Sequence, residues 1–178
     1  ANVAVTDAGA VDLGASTVSG TLGITSAGAV TDSGTLAISG ATTISASGQD
    51  ITLDQAASTF GTLALTGANV AVTDAGATDL GASTVGGTLG ITSAGAVTDS
   101  GTLAVTGATT ISASGQDITL DESASTFGSL LLTGANVAVT DAGAVDLGAS
   151  TVGGTLGITS AGAVTDSGTL AITGATTI

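Results

Sequence analysis

The chain is a tandem repeat. Residues 1–67 return almost unchanged as 68–134, with eight differences, and a third, partial copy follows. The first ten positions, 1–10, are identical to 68–77 and to 135–144. Near-identical units of this size stack into elongated arrays in which each unit completes its core against its neighbours. We therefore expect three repeat units, 1–67, 68–134 and 135–178, in one continuous solenoid without an obvious unique pocket.

All charged side chains of this chain are acidic. The chain has 14 acidic residues and no Lys, Arg or His, so its net charge is -14. Phosphate recognition by Lys or Arg is absent, which argues against nucleic acid as a partner. An anionic membrane surface would repel the chain, and no apolar run approaches the ~20 residues of a membrane span. Because Cys is also absent, neither a disulfide nor a thiolate metal site can form.

Apolar residues alternate with small or polar ones in short segments separated by Gly and Ser. This alternation, rich in β-branched residues, predicts short half-buried strands joined by turns, and no segment has helical spacing. Position 64 is Ala in the first repeat and Leu131 in the second. Since a tight inward site would not accept both, we expect this position to face outward. The predicted strands of the first repeat are 3–6, 21–25, 35–39, 43–45, 51–54 and 62–66.

A series of aspartates follows the strands, and its spacings recur in the order 25, 22, 20. Three such steps make one repeat and average ~22 residues, which suits one coil of a parallel β-helix. The predicted fold is therefore all-β: a right-handed parallel β-helix (β-solenoid), about 22 residues per coil and three coils per repeat. With coils ~4.8 Å apart, each repeat would add ~14 Å to the rod. The series is Asp7, Asp32, Asp54, Asp74, Asp99, Asp121, Asp141 and Asp166.

The pattern resembles the repeat regions of large secreted bacterial proteins of the filamentous haemagglutinin type. The segments that carry the resemblance are 67–74, Gly-Ala-Asn-Val-Ala-Val-Thr-Asp, and 87–92, Gly-Thr-Leu-Gly-Ile-Thr. The resemblance spans the whole chain, but it is one of composition and period. It implies a β-helical stalk exported to the cell surface, with the export domain outside these residues.

The residue types leave little room for catalysis. Ser and Thr are abundant, but a nucleophile needs an activating base, and the chain has no His, Lys or Cys. Paired carboxylates are the remaining acid–base chemistry. They recur in every coil, and Phe60 and Phe127 are the only aromatic residues that could support a sugar. We expect no enzyme activity, and no catalytic or cofactor-binding residues.

The aspartates have two possible roles. Carboxylates ~4.8 Å apart along one edge would repel, and Ca²⁺ between the rungs would relieve the repulsion. The local sequences lack the dense spacing of known calcium motifs. The favoured role is therefore a turn acceptor, in which each carboxylate receives a backbone N–H just after its strand.

Two other residue types recur. One asparagine per repeat (Asn2, Asn69 and Asn136) precedes a strand, which is typical of a stacked or capping turn amide. Flat Thr-x-Thr arrays on β-solenoids bind ice. Thr6, Thr21, Thr25 and Thr31 do not fall at one position of successive coils of the expected length, which argues against that function.

These features favour a structural protein at the exterior of a bacterial cell. One hypothesis is a rigid stalk of a surface adhesin, with any host or surface partner bound through regions outside this chain. The alternative is an extracellular filament, sheath or matrix fibre that the repeats build themselves. Low charge, many small residues and open strand edges favour self-association, end to end or side by side.

Overall fold

The computed structural model describes all residues, 1–178, and contains 24 short strands and no helix. Most strands are short and end at small turn residues. The strands are β1 Val3–Asp7, β2 Val11–Leu13, β3 Ser16–Val18, β4 Leu22–Ser26, β5 Val30–Asp32, β6 Leu36–Ile38, β7 Ala41–Ser45, β8 Ile51–Leu53, β9 Thr62–Gly67, β10 Val70–Asp74, β11 Thr78–Leu80, β12 Ser83–Val85, β13 Leu89–Ser93, β14 Val97–Asp99, β15 Leu103–Ser112, β16 Ile118–Leu120, β17 Thr126–Gly134, β18 Val137–Asp141, β19 Val145–Leu147, β20 Ser150–Val152, β21 Leu156–Ser160, β22 Val164–Asp166, β23 Leu170–Ile172 and β24 Thr176–Thr177.

The strands stack in parallel, each on the strand one coil earlier. Val3 pairs with Leu22, Leu22 with Thr42, and Thr42 with Leu63, so each coil of this series is slightly longer than the one before. The bridge between Ala37 and Thr59 marks a longer step still. The predicted fold class is confirmed: the chain is an all-β parallel β-solenoid of about nine coils, in which each repeat supplies three full coils of about 19–22 residues. Nine coils span ~43 Å.

Each coil contributes a strand to two ladders, which form the two walls around one core. The short strands β3, β6, β12, β20 and β23 complete the bends between them. The first wall consists of β1, β4, β7, β9, β11, β14, β16, β18, β21 and β24. The second wall consists of β2, β5, β8, β10, β13, β15, β17, β19 and β22.

Successive repeats are related by half a turn. Val3 lies in the first wall, but its counterpart Val70 stacks on Ile51 in the second wall. Val137, two repeats on, is back in the first wall, on Ile118. Seven steps from one strand to the next separate β1 from β18 along that wall, and these steps cover two repeats. Each repeat therefore advances by three and a half coils, and β9 begins the additional half-coil. The advance is ~17 Å per repeat, compared with ~14 Å for three coils alone.

The core consists of inward side chains stacked in columns. On the first wall, one column runs through Ile24, Ile44 and Leu65, each at most 2% exposed. The neighbouring column, two positions earlier on each strand, has Leu22, Thr42 and Leu63. All 37 buried apolar residues form one cluster, so the core continues across the repeat boundaries.

One corner of the coil is closed by stacked glycines. A Cβ on Gly40 would lie 2.6 Å from the carbonyl oxygen of Gly20, and one on Gly61 would lie 2.6 Å from that of Gly40. The backbone of successive coils therefore approaches too closely for any side chain here. Gly14, at the bend between β2 and β3, has open space instead.

The longer predicted strands are present at 3–7, 22–26, 41–45 and 62–67, close to the expected bounds. The three-residue strands β6 and β8 lie within the predicted segments 35–39 and 51–54, whereas the equally short strands β2, β3 and β5 were not predicted. Position 64 faces outward as expected: Ala64 and Leu131 are half-buried between inward neighbours.

Candidate functional site

The aspartates do not form one ladder. Asp7 is in register with Ser26, whereas Asp32 is in register with Leu13. Asp54 lies in the turn after β8. The same three positions in the coil recur in the second and third repeats, at Asp74 and Asp141, at Asp99 and Asp166, and at Asp121. The row of carboxylates ~4.8 Å apart on which a calcium ladder depends is therefore not built.

One aspartate per repeat accepts a hydrogen bond in its own turn. The Oδ1 atom of Asp7 accepts the N–H of Gly9 at 2.7 Å, and that of Asp74 accepts the N–H of Gly76 at 2.8 Å. Asp141 does the same with Gly143 at 2.6 Å. This confirms the predicted turn role for these three residues.

Asp74 also joins two repeats. It is 2% exposed, and its other partners are the Thr78 hydroxyl at 3.3 Å and the backbone N–H of Phe60. Burial is the largest effect and raises the pKa of the Asp74 carboxyl above its usual 3.8, although these hydrogen bonds oppose it. In the next repeat Asp141 accepts the N–H of Phe127 at 3.0 Å, so this contact recurs.

Asp32 and Asp99 are a second buried pair of counterparts. Oδ1 of Asp32 accepts the N–H of Asp54 at 2.9 Å, while its buried Oδ2 has no partner. Burial raises the pKa of Asp32; backbone N–H groups lower it, and the charge of Asp54 raises it. For Asp99 burial is again the largest cause of a raised pKa, and both Asp121 and Glu122 add repulsion. These carboxyls are therefore held where their ionised form is disfavoured.

The recurrent asparagines stack with acids and threonines along another corner. Oδ1 of Asp50 accepts the backbone and side-chain N–H groups of Asn69 at 3.1 and 2.9 Å. Oδ1 of Asn69 in turn accepts the N–H and hydroxyl of Thr88 at 3.0 and 3.1 Å. The same contacts join Asp117, Asn136 and Thr155. The predicted role as a stacked turn amide is confirmed, and the corner links three successive coils.

Several hydroxyl groups also join coils. Ser58 is fully buried and accepts the N–H of Leu36 at 3.0 Å. On the outer surface, Ser33 donates to Asp12 at 2.7 Å, and Ser100 donates to Asp79 at 2.8 Å. The buried serine bonds to a main-chain group of the adjacent coil, and the two surface serines bond to carboxylates of the adjacent coil. These polar contacts hold the coils in register.

Two cavities are present. The larger, ≈ 410 Å³, is a groove lined by nine small or polar residues between 114 and 154, none of them ionisable. The smaller, ≈ 310 Å³, opens among inward residues of the first two coils, including Val3, Leu13 and Leu22. Neither brings acid–base groups together. The described residues contain no group of three or more potential metal-ligating acids, and no helix long and apolar enough to cross a membrane.

The outer surface of four successive first-wall rungs, β1, β4, β7 and β9, carries no ionisable side chain in its outward mid-strand positions. We call this surface the plain face of the first repeat. The plain face of the second repeat lies on β10, β13, the end of β15 and β17, and that of the third repeat lies on β18, β21 and β24. On the first of these faces Thr6, Thr25, Ser45 and Thr66 form one column of hydroxyls. The expectation that Thr6 and Thr25 do not align is therefore wrong, because the coil here is shorter than the average taken from the aspartate spacing.

The neighbouring outward column differs. It contains Ala4, Gly23, Thr43 and Ala64, so three of its four members lack a hydroxyl. Paired Thr-x-Thr rows therefore do not form, and the surface consists of small side chains.

The comparison with protein families agrees with this architecture. A family described as repeats of unknown function (DUF5649) matches at residues 1–66, 67–133 and 134–178. The chain belongs to this family. Its matched segments follow the period of the sequence repeat, while the structure shows that the DUF5649 repeats share one core and one pair of ladders. No curated protein matches the chain, and neither does any solved structure.

Proposed function

We propose that this chain is a structural element of the bacterial cell exterior, a stiff β-solenoid stalk that holds an adhesive region elsewhere in the protein away from the surface. The observation that carries the proposal is the continuity of the ladders across repeat boundaries. Val70 stacks on Ile51, and Leu80 stacks on Leu63, so there is no linker at which the rod could bend. Length then scales with the number of repeats.

The side-chain chemistry supports a structural role. The acids cap turns or join coils through hydrogen bonds, and the buried serines bond to the main chain. We propose that the chain is not an enzyme and binds no nucleic acid. The absence of Lys and Arg leaves no site for trypsin, and the absence of Cys and Met leaves no sulfur to oxidise. Both properties suit a long-lived material outside the cell.

The alternative function is a filament, sheath or matrix fibre made by the repeats themselves. The plain faces favour this alternative, because they carry no charged side chain and like-charge repulsion between copies is therefore weakest there.

Electron microscopy of the native surface material distinguishes the two. Separate rods of fixed length, attached at one end and lengthened by ~17 Å for each added repeat, are expected for a stalk. Filaments of indefinite length would support the fibre. Globular particles, or flexible strings of beads, would contradict both.

A further inference from the structure

Each repeat contributes an odd number of strands to the two walls. The first repeat places four strands on the first wall (β1, β4, β7 and β9) and three on the second (β2, β5 and β8). The second repeat reverses this distribution, with four strands on the second wall and three on the first. Since the total is odd, a repeat ends on the wall where it began, and the next repeat starts on the opposite wall.

The link between repeats is short enough to enforce this change of wall. Strand β9 ends at Gly67 and β10 begins at Val70, so only Ala68 and Asn69 lie between them. Three Cα steps span at most ~11 Å, which is close to the ~10 Å between two packed sheets. The chain can therefore turn one corner and enter the opposite wall, but it cannot pass along that wall and return. The link between β17 and β18 has the same length.

The contacts at the two junctions between repeats are also the same. Val70 stacks on Ile51 at the first junction, and Val137 stacks on Ile118 at the second. The corner of aspartate, asparagine and threonine described above recurs at both junctions. None of the positions that differ between the first two repeats belongs to these stacking or corner residues. A further repeat of this sequence would therefore meet the same surface and again start on the opposite wall.

Outward groups change sides with each repeat as a result. Asp12, Asp79 and Asp146 are counterparts, and each accepts a hydrogen bond from a serine of the adjacent coil, at 2.7, 2.8 and 2.7 Å. Asp12 and Asp146 lie on the second wall, whereas Asp79 lies on the first. Successive repeats thus present the same local environment on opposite sides of the rod.

We infer that the number of repeats sets the side to which the distal part of the protein faces, as well as its distance. One repeat more or fewer turns everything beyond it by half a turn and shifts it by ~17 Å, whereas two repeats change the length alone. Where it concerns an adhesive region, the inference rests on the proposed stalk function. In such a stalk, the gain or loss of a single repeat redirects the adhesive region to the opposite side.

Distances between spin labels on exposed threonines test the inference. Thr31 and Thr110 lie in one outward column of the second wall, and Thr43 lies on the first wall. Double electron–electron resonance compares the label pairs 31–110 and 43–110, introduced by Thr→Cys substitutions in the whole chain. The axial separations of the two pairs are nearly equal, ~19 and ~17 Å, so the difference between the measured distances reports the side. A second protein carries one additional copy of residues 68–134 between the first two repeats.

In the chain without the insertion, we expect the 31–110 distance to be the shorter by several ångströms. Labels on opposite walls are separated further by the ~10 Å between the sheets and by their own length. The inserted repeat should move Thr110 to the first wall, so that the 43–110 distance becomes the shorter. An unchanged order in the longer protein would overturn the inference, and so would loss of its β circular dichroism spectrum, because a further repeat would then not meet the same surface.

A second measurement needs no insertion. Ala138 is exposed on the first wall, in the third repeat. With a label at Ala138→Cys, the 43–138 distance should be shorter than the 31–138 distance, and the reverse order would also overturn the inference. The stalk proposal is tested separately by electron microscopy and would survive an order that does not reverse.

Discussion

Two neighbouring columns of inward side chains on the first wall differ in composition. The column through Ile24, Ile44 and Leu65 is wholly apolar, while the adjacent column has Thr42 between Leu22 and Leu63. Thr42 is fully buried and its hydroxyl has no hydrogen-bond partner; its counterpart Thr109 is the same. The difference indicates that the second column tolerates a buried hydroxyl without a partner in each of the first two repeats.

The largest effect is expected when the apolar column is made to resemble its neighbour. Ile44→Thr removes buried methyl and methylene groups and leaves a second hydroxyl without a partner. We expect a loss of about 2–4 kcal/mol in the free energy of unfolding. Urea unfolding measures this loss, with Ile44→Val, expected to cost about 1 kcal/mol, as the control. Equal losses for the two variants would show that the hydroxyl finds a partner.

The reverse change should stabilise the chain. Thr42→Val keeps the shape of the side chain and removes the unpaired hydroxyl, so we expect a gain of about 1–2 kcal/mol. Thr109→Val should give the same gain. The outward Thr43→Val should stay within about 0.5 kcal/mol of the unaltered chain. Destabilisation by Thr42→Val would mean that the buried hydroxyl is satisfied, and the contrast between the columns would disappear.

The buried carboxyls extend the comparison to pH. Asp32 and Asp99 are inward-lying polar residues in register with Leu13 and Leu80, and their pKa values are raised mainly by burial. Above the raised folded-state pKa, both carboxyls are ionised in the folded and unfolded chain, and the burial penalty is present in full. As pH falls through that value the folded state takes up protons first, so stability should rise until the unfolded carboxyls protonate near ~3.9.

Urea midpoints between neutral pH and pH ~4 test this dependence. The double variant Asp32→Asn with Asp99→Asn should show a smaller rise on acidification than the unaltered chain. General relief of repulsion among the other acids remains in both proteins. A fall in stability on acidification, or an identical rise in the variant, would show that these two carboxyls are not the source.

The sequence was sufficient for the fold class and for much of the strand pattern. Alternation predicts the five-residue strands at 22–26 and 41–45 and the short strands β6 and β8, but it misses β2, which small turn residues, Ala10 and Gly14, flank directly. The coil register could not be predicted, because the coil length varies within a repeat and the aspartate spacing mixes three environments. The uncharged face depends on that register, and therefore appears only when Thr6 and Thr25 are seen to stack.

The half-turn between repeats is the central claim, and disulfide trapping tests it directly because the chain has no cysteine of its own. Ala71 pairs with Thr52 across the repeat boundary on the second wall, whereas Thr43 pairs with Ala64 on the first. Paired positions have the short Cα separation that a disulfide requires. We predict that Thr52→Cys with Ala71→Cys oxidises as readily as the control pair Thr43→Cys with Ala64→Cys, and that Thr43→Cys with Ala71→Cys does not. Efficient closure of the 43–71 pair, with none for 52–71, would contradict the half-turn.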